Sequence, residues 1–266
     1  MSTSSNHIGE PLSRVDGKAK VTGAATYAYE YDIKNVAYGV LATSTIAKGT
    51  IKSIDTKAAE AAPGVIAIIT HLNAIKPAGW QSGNAQTADP RVEGQAFRVF
   101  FDDKVHYNGQ PVALAIADTF ERATYAASLI KAQYIKEKPQ TNLKANLSKA
   151  VVPKKAEEPI HTRGDKNAFE SSEIKVSNQY LTPLQVHNPM EPHAAIAVWE
   201  GDDKLTVYNK TQSSPLAQQD MMKAWKLPEE NVHIISKFVG GAFGGASRVW
   251  PQEMAATIGA RQINRP

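Results

Sequence analysis

Val239-Gly240-Gly241-Ala242-Phe243-Gly244-Gly245 sets four glycines around one aromatic, directly after a β-like apolar run. Glycine lets main chain approach a bulky ligand that any Cβ would exclude, so this segment is a candidate for backbone laid against a cofactor; a plain tight turn uses the same residues. The pattern is neither G-x-G-x-x-G nor a Walker loop ending in Lys-Ser/Thr, and it implies no phosphate cradle. His187, Glu191 and His193 carry groups that ligate metals, but their spacing matches no compact helical metal motif. Ser247 lies in no G-x-S-x-G and has no base partner in view, which leaves serine hydrolysis unsupported. Tyr107 and Trp199 read as packing residues rather than substrate contacts.

The elements that must position these residues are of mixed type. Asp55 to Ala62 reads as a short capped helix, closed by Pro63-Gly64 and followed by the apolar strand Val65 to Ile69. Pro111 to Ala117 reads as a buried strand, after which Asp118 with Glu121 opens a helix expected to reach about Tyr134. From Lys136 to about Asn167 the composition shifts to Lys, Pro, Glu, Asn and Ser without periodicity, as expected of a connector. Strands are expected at Ile174 to Thr182, Ala194 to Trp199 and Leu205 to Tyr208, the last two joined by the turn Glu200 to Asp203. Ser214-Pro215 starts a helix ending near Trp225, Val232 to Phe238 forms a strand that delivers the glycine loop, and a last helix covers about Gln252 to Ala260.

Composition narrows the function classes. The chain has 266 residues, a net charge of +4 and no cysteine. That length buries a real core, and the scattered lysines form no nucleic-acid footprint. No run of about 18 apolar residues and no hydrophobic leader are visible, so no membrane span is expected. The lack of cysteine excludes disulfides, thiolate catalysis and an iron–sulfur cluster held by these residues. The sequence stops just after its last helix, and a fragment, a split subunit or a truncated reading frame is expected, with Met254, Ile258 and Ile263 left uncovered so that the isolated chain associates.

Several segments together resemble the molybdenum-binding subunit of the xanthine oxidase and aldehyde oxidoreductase family, particularly its bacterial aldehyde-oxidising members. Arg14 to Gly23, Ala61-Ala62-Pro63-Gly64-Val65 and Tyr107 to Ala113 are similar to the family's α/β hammerhead domain, and Met190-Glu191-Pro192-His193-Ala194 to the start of its cofactor domain. Thr211-Gln212 sets a glutamine 31 positions before Phe243, which matches the family's spacing between its cofactor glutamine and loop phenylalanine. The fold implied is α+β: an N-terminal extension over 1–17, the hammerhead domain over 18–136, a connector over 137–167, and the first, incomplete part of a mixed α/β molybdopterin-binding domain over 168–266.

The resemblance implies that Gln212, Gly241, Ala242, Phe243 and Gly244 face a molybdopterin cofactor, in a plain or cytosine dinucleotide form, with the metal held by the pterin rather than by protein. Gln212 would donate to an oxo ligand, and backbone N–H groups of the loop would face the metal. The implied reaction is hydroxylation of an aldehyde or small N-heterocycle with water as the oxygen source. Its general-base glutamate and substrate arginine belong to downstream sequence. Iron–sulfur and FAD partner subunits and the remaining part of the molybdenum-binding subunit are implied partners, in the cytoplasm or, by co-export, the periplasm. Two departures stand out: Ala242 replaces the usual middle glycine, and Ala246 a common lysine. Ser247 stands where purine-oxidising members carry a glutamate, so an aldehyde or small heterocycle is favoured over xanthine. A non-catalytic piece that scaffolds such a complex is the alternative, against which stands the Gln212 and Phe243 pair.

Overall fold

The computed structural model describes residues 9–80, 98–150 and 163–266. Its centre is strand β5 (Pro111–Ala117), in which every residue is buried. Pro111 opens the strand, where a missing N–H costs no ladder bond. β1 (Tyr38–Thr43) and β3 (Val65–Thr70) flank it antiparallel. One face of this sheet presents Ala115 and Ile68 to helices α2 (Lys57–Glu60) and α3 (Phe120–Leu129), whose Ala59 and Ala126 complete a core of small side chains. A second sheet pairs β2 (Gly49–Asp55) with β4 (Lys104–Val105) and β6 (Lys131–Lys136), around Ile46, Ile51, Val105 and Val112.

The second half builds one further sheet. β7 (Ala195–Glu200) and β8 (Lys204–Asn209) form an antiparallel hairpin through Gly201, whose φ of 63° suits glycine, and β8 pairs in parallel with β9 (Val232–Ile235). Among the described residues, shorter helices α1 (Gly17–Val21), α4 (Leu143–Asn146) and α5 (Ala168–Ser171) precede it. A parallel pair needs a crossover, supplied by α6 (Ser214–Trp225), which buries Ala217, Met221 and Ala224. α7 (Pro251–Ile263) then lies between β7 and the first sheet. A single apolar core therefore runs through both halves, with Ile69, Leu114 and Ile116 meeting Leu205, Val207, Met221 and Ile258.

Four expectations are corrected. The helix after β5 stops at Leu129, because Lys131–Lys136 pairs with β2 as strand β6. Ile174 to Thr182 forms no strand: among the described residues no partner strand lies beside it, and Ile174, Val176, Tyr180 and Leu181 are exposed. The strand before the glycine loop ends at Ile235 rather than Phe238. Met254 and Ile258 are covered, at 6% and 0% exposure, and Ile263 is partly buried against the same core, since α7 turns its apolar face onto the β1–β5–β3 sheet. The chain end is tied as well: Ala37 N donates to Pro266 O at 2.7 Å and Arg265 Nε to Asn35 O at 2.6 Å.

Candidate functional site

Gln212 sits in the short turn between β8 and α6. Thr211 holds that turn from below, with its Oγ1 donating to Ala246 O at 3.2 Å and accepting from Ser213 N at 3.1 Å. Ser213 caps α6 by accepting from Leu216 N at 3.4 Å, the usual work of a serine at that position. Gln212 N then donates to Ala246 O at 2.9 Å. Its side-chain Oε1 accepts from both Gly244 N, at 3.0 Å, and Ala246 N, at 3.2 Å. Two backbone donors identify that atom as the oxygen. The amide nitrogen points elsewhere and has no partner among the described residues, on an exposed side chain.

The glycine loop turns through three left-handed residues, Gly241 (φ 91°), Phe243 (φ 53°) and Gly244 (φ 94°). Gly245 N donates to Ala242 O at 2.7 Å and closes the turn around Phe243. A bulky residue at positive φ costs of order 1 kcal/mol and persists only where its surroundings impose it. Phe243 gains no burial in return, at 72% exposure. Ala242, by contrast, is 4% exposed, so its methyl lies inward and leaves the outer face of the loop clear. Gly244 N–H is engaged by Gln212 Oε1, so that donor is turned to protein. Ser247 Oγ donates to Gly244 O at 3.1 Å.

Met190 to Ala194 runs beneath the loop. Glu191 Oε2 accepts from Gly240 N at 2.6 Å, and Glu191 N donates back to Gly240 O at 3.1 Å. His193 stacks on Trp250 with ring centroids 4.8 Å apart, and burial, Lys210 and His187 hold its imidazole below the usual histidine range. His187 lies against Gly244 and Gly245. Among the described residues, no three His, Asp or Glu side chains converge as metal ligands. Trp199 packs at 4.8 Å against Trp225 and donates to Thr257 O at 3.0 Å.

Sequence reasoning missed two charged groups behind the loop. Lys210, with 0% exposure, donates from Nζ to Glu191 O at 2.6 Å, and burial lowers its pKa. Glu253, 1% exposed at the start of α7, accepts from Trp250 N. Burial pushes its carboxyl up to about 8, Asp220 adds to the rise, and the Trp250 N–H and Lys210 oppose it. Pro251 at the first helical position with an acid in the first turn marked a helix start, but nothing local marked the burial of Glu253 or of Lys210. A cavity of about 1110 Å³ lies between residues 27–41, residues 190–197 and α7. It reaches Glu191 and Gly240 but not Gln212 or Phe243, both of which have exposed side chains.

The turn that carries Gln212 is thus locked to the glycine loop, on a mixed sheet that shares one apolar core with the α/β unit before it. Residues 22–138 match the aldehyde oxidase and xanthine dehydrogenase a/b hammerhead domain, and residues 149–266 match the molybdopterin cofactor-binding domain. The aldehyde oxidoreductase molybdenum-binding subunit PaoC of Escherichia coli K12 is 39% identical over 97% of this chain and 34% of its own length. The putative xanthine dehydrogenase molybdenum-binding subunit XdhA of the same organism is 29% identical over 92% of this chain and 33% of its own length. The fold is shared with the aldehyde oxidoreductase from Desulfovibrio gigas, at a TM-score of 0.74 and 21% identity over 95% of this chain and 29% of that one. The chain belongs to the aldehyde oxidase and xanthine dehydrogenase family of molybdenum-binding subunits, and it spans about a third of the length of the curated relatives it matches first. No helix among the described residues is long and apolar enough to cross a membrane.

Proposed function

We propose that these residues form the hammerhead domain and the first part of the cofactor domain, divided at the connector over 137–167, of an oxidoreductase that hydroxylates an aldehyde. One observation carries this reading: Gln212 Oε1 is tied to two loop N–H groups, which leaves Nε2 as an oriented donor beside exposed Phe243. Bound molybdopterin would supply two-electron oxidation with water as the oxygen source. Gln212 Nε2 would donate to an oxygen ligand of the metal; a neutral amide stabilises negative charge there without competing as a ligand itself. Gly241, Ala242, Phe243 and Gly244 would present the loop's outer face to the cofactor, which the inward methyl of Ala242 leaves clear.

Support for an aldehyde is twofold. Ser247 is occupied with Gly244 O, offers no carboxylate to orient a purine, and the greater identity is to an aldehyde oxidoreductase subunit. Gln212 and Phe243 have exposed side chains, so the rest of the subunit would supply the opposite wall, together with the general-base glutamate and the substrate arginine. These residues contain no cysteine, so iron–sulfur clusters would sit outside them; we place these and FAD on partner subunits, in the cytoplasm or, by co-export, the periplasm.

Gln212→Ala in the assembled complex tests the assignment. Loss of one oriented donor is expected to lower turnover about a hundredfold, with molybdenum content largely kept. Unchanged turnover at full metal loading refutes the role of Gln212.

A further inference from the structure

Residues 25–31 precede the first strand of the hammerhead unit, yet they pack on the second half of the molecule. Tyr31 meets Tyr208 of β8 with ring centroids 4.7 Å apart, Tyr27 meets Phe238 at 6.1 Å, and Ala25 and Ala28 are buried. Where this strap crosses Met190 to Ala194, Glu191 bridges two chains of backbone: Oε2 accepts from Gly240 N at 2.6 Å and Oε1 from Ala28 N at 3.4 Å. Glu191's own N–H donates to Gly240 O at 3.1 Å, and its carbonyl is held by Lys210 Nζ at 2.6 Å. The fit is close, since a Cβ on Gly240 would stand 2.6 Å from that of Glu191. The glycine loop is thus pinned at both ends, by Glu191 at Gly240 and by Gln212 with Thr211 at Ala246.

We propose that Glu191 is a positioning residue, tying the first residue of the glycine loop to the strap of residues 25–31 so that the loop is set before any cofactor arrives. The carboxylate accepts from two N–H groups, and charge-assisted bonds of this kind are about twice as strong as neutral ones. Lys210, two residues before Gln212, couples the two pins through the carbonyl of Glu191. The inference rests on the cofactor reading only for what the loop faces; the clamp is a property of this chain alone.

Amide hydrogen exchange of the 266-residue chain without cofactor tests it, comparing the parent with Glu191→Ala and Glu191→Gln. Glu191→Ala removes both acceptors, and exchange across residues 239–246 is expected to quicken about tenfold or more, while β7 and β8 exchange as before. Glu191→Gln keeps one acceptor oxygen for Gly240 N, so its loop exchange should fall between the other two. Unchanged loop exchange in Glu191→Ala overturns the proposal, and so does faster exchange spread over the whole β7–β8–β9 sheet, which would make Glu191 a residue of the fold at large. Pterin retention by the assembled Glu191→Ala complex is a separate readout: a loosened loop with full retention leaves the clamp standing and counts against the cofactor reading.

Discussion

Glu253 is a carboxylic acid buried to 1% exposure at the start of α7, and its replacement by glutamine should make the protein more stable near neutral pH. In the folded chain its carboxyl titrates at about 8, against an ordinary value of 4.5, with desolvation as the main cause. A raised value means that the folded state holds the proton more tightly than the unfolded chain does. The neutral acid costs nothing below 4.5; stability then falls as pH rises towards about 8 and stays low above it. At 1.36 kcal/mol per pH unit, the loss is ~3 kcal/mol at pH 7 and approaches ~5 kcal/mol above pH 8. Glutamine has nearly the shape of the protonated acid, and its oxygen can still accept from Trp250 N, so the capping of α7 survives while the titration disappears.

Urea unfolding followed by far-UV circular dichroism, for parent and Glu253→Gln at pH 5, 7 and 8.5, reads the effect. The two proteins should be nearly equal at pH 5, and the variant ahead by ~3 kcal/mol at pH 7 and by more at pH 8.5. Asp220 drives the value of Glu253 up and Lys210 drives it down, so these are the charges against which the carboxylate must be weighed. A variant less stable than the parent at pH 7 would show that the ionised carboxylate is wanted there, paired with Lys210. A difference that stays flat from pH 5 to 8.5 would show that Glu253 does not titrate in this range, and either result refutes the argument.

Two further substitutions probe the packing that carries the site. Gly79→Ala should lower the melting temperature by about 5 °C or more in a thermal scan, because a Cβ there would lie 1.8 Å from Lys223 O in the last turn of α6, and backbone has no side chain to swing aside; an unchanged melting point contradicts this. Tyr31→Phe should raise stability by about 1 kcal/mol in urea, since the Tyr31 hydroxyl is buried with no partner among the described residues, whereas a loss would reveal a bond to that hydroxyl.

Local pattern carried much of the fold. The apolar runs of β3, β5, β7 and β8, the Ser-Pro start of α6 and the turn at Gly201 lie where residue types alone place them, because each has a signal within a few positions of itself. What escaped depends on distant partners. Lys131–Lys136 reads as a helix continuation until β2 is found beside it, and Tyr38–Thr43 and Gly49–Asp55 carry too little alternation to declare themselves before β5 and β6 pair with them. Ile174 to Thr182 shows the converse: residues suited to a strand stay unpaired when no neighbour is at hand. At the site, glycine spacing pointed to the loop and the family resemblance to Gln212. The atom that joins them, Gln212 Oε1, and the buried charges of Lys210 and Glu253 belong to tertiary packing and left no mark in the sequence.

The shared core has a consequence for how the loop is held. Gly259 of α7 lies where a side chain would press on Leu114 and Ile116 of β5, 3.1 Å away from each, so that helix and sheet approach as near as backbone permits. The same helix begins at Glu253 and Trp250, and Trp250 stacks on His193, two residues from Glu191. The strap and the start of α7 therefore meet at one short stretch, Met190 to Ala194, and that stretch holds Gly240. In this arrangement residues 25–31 reach the glycine loop through Glu191, and α7 reaches it through the Trp250–His193 stack two residues away.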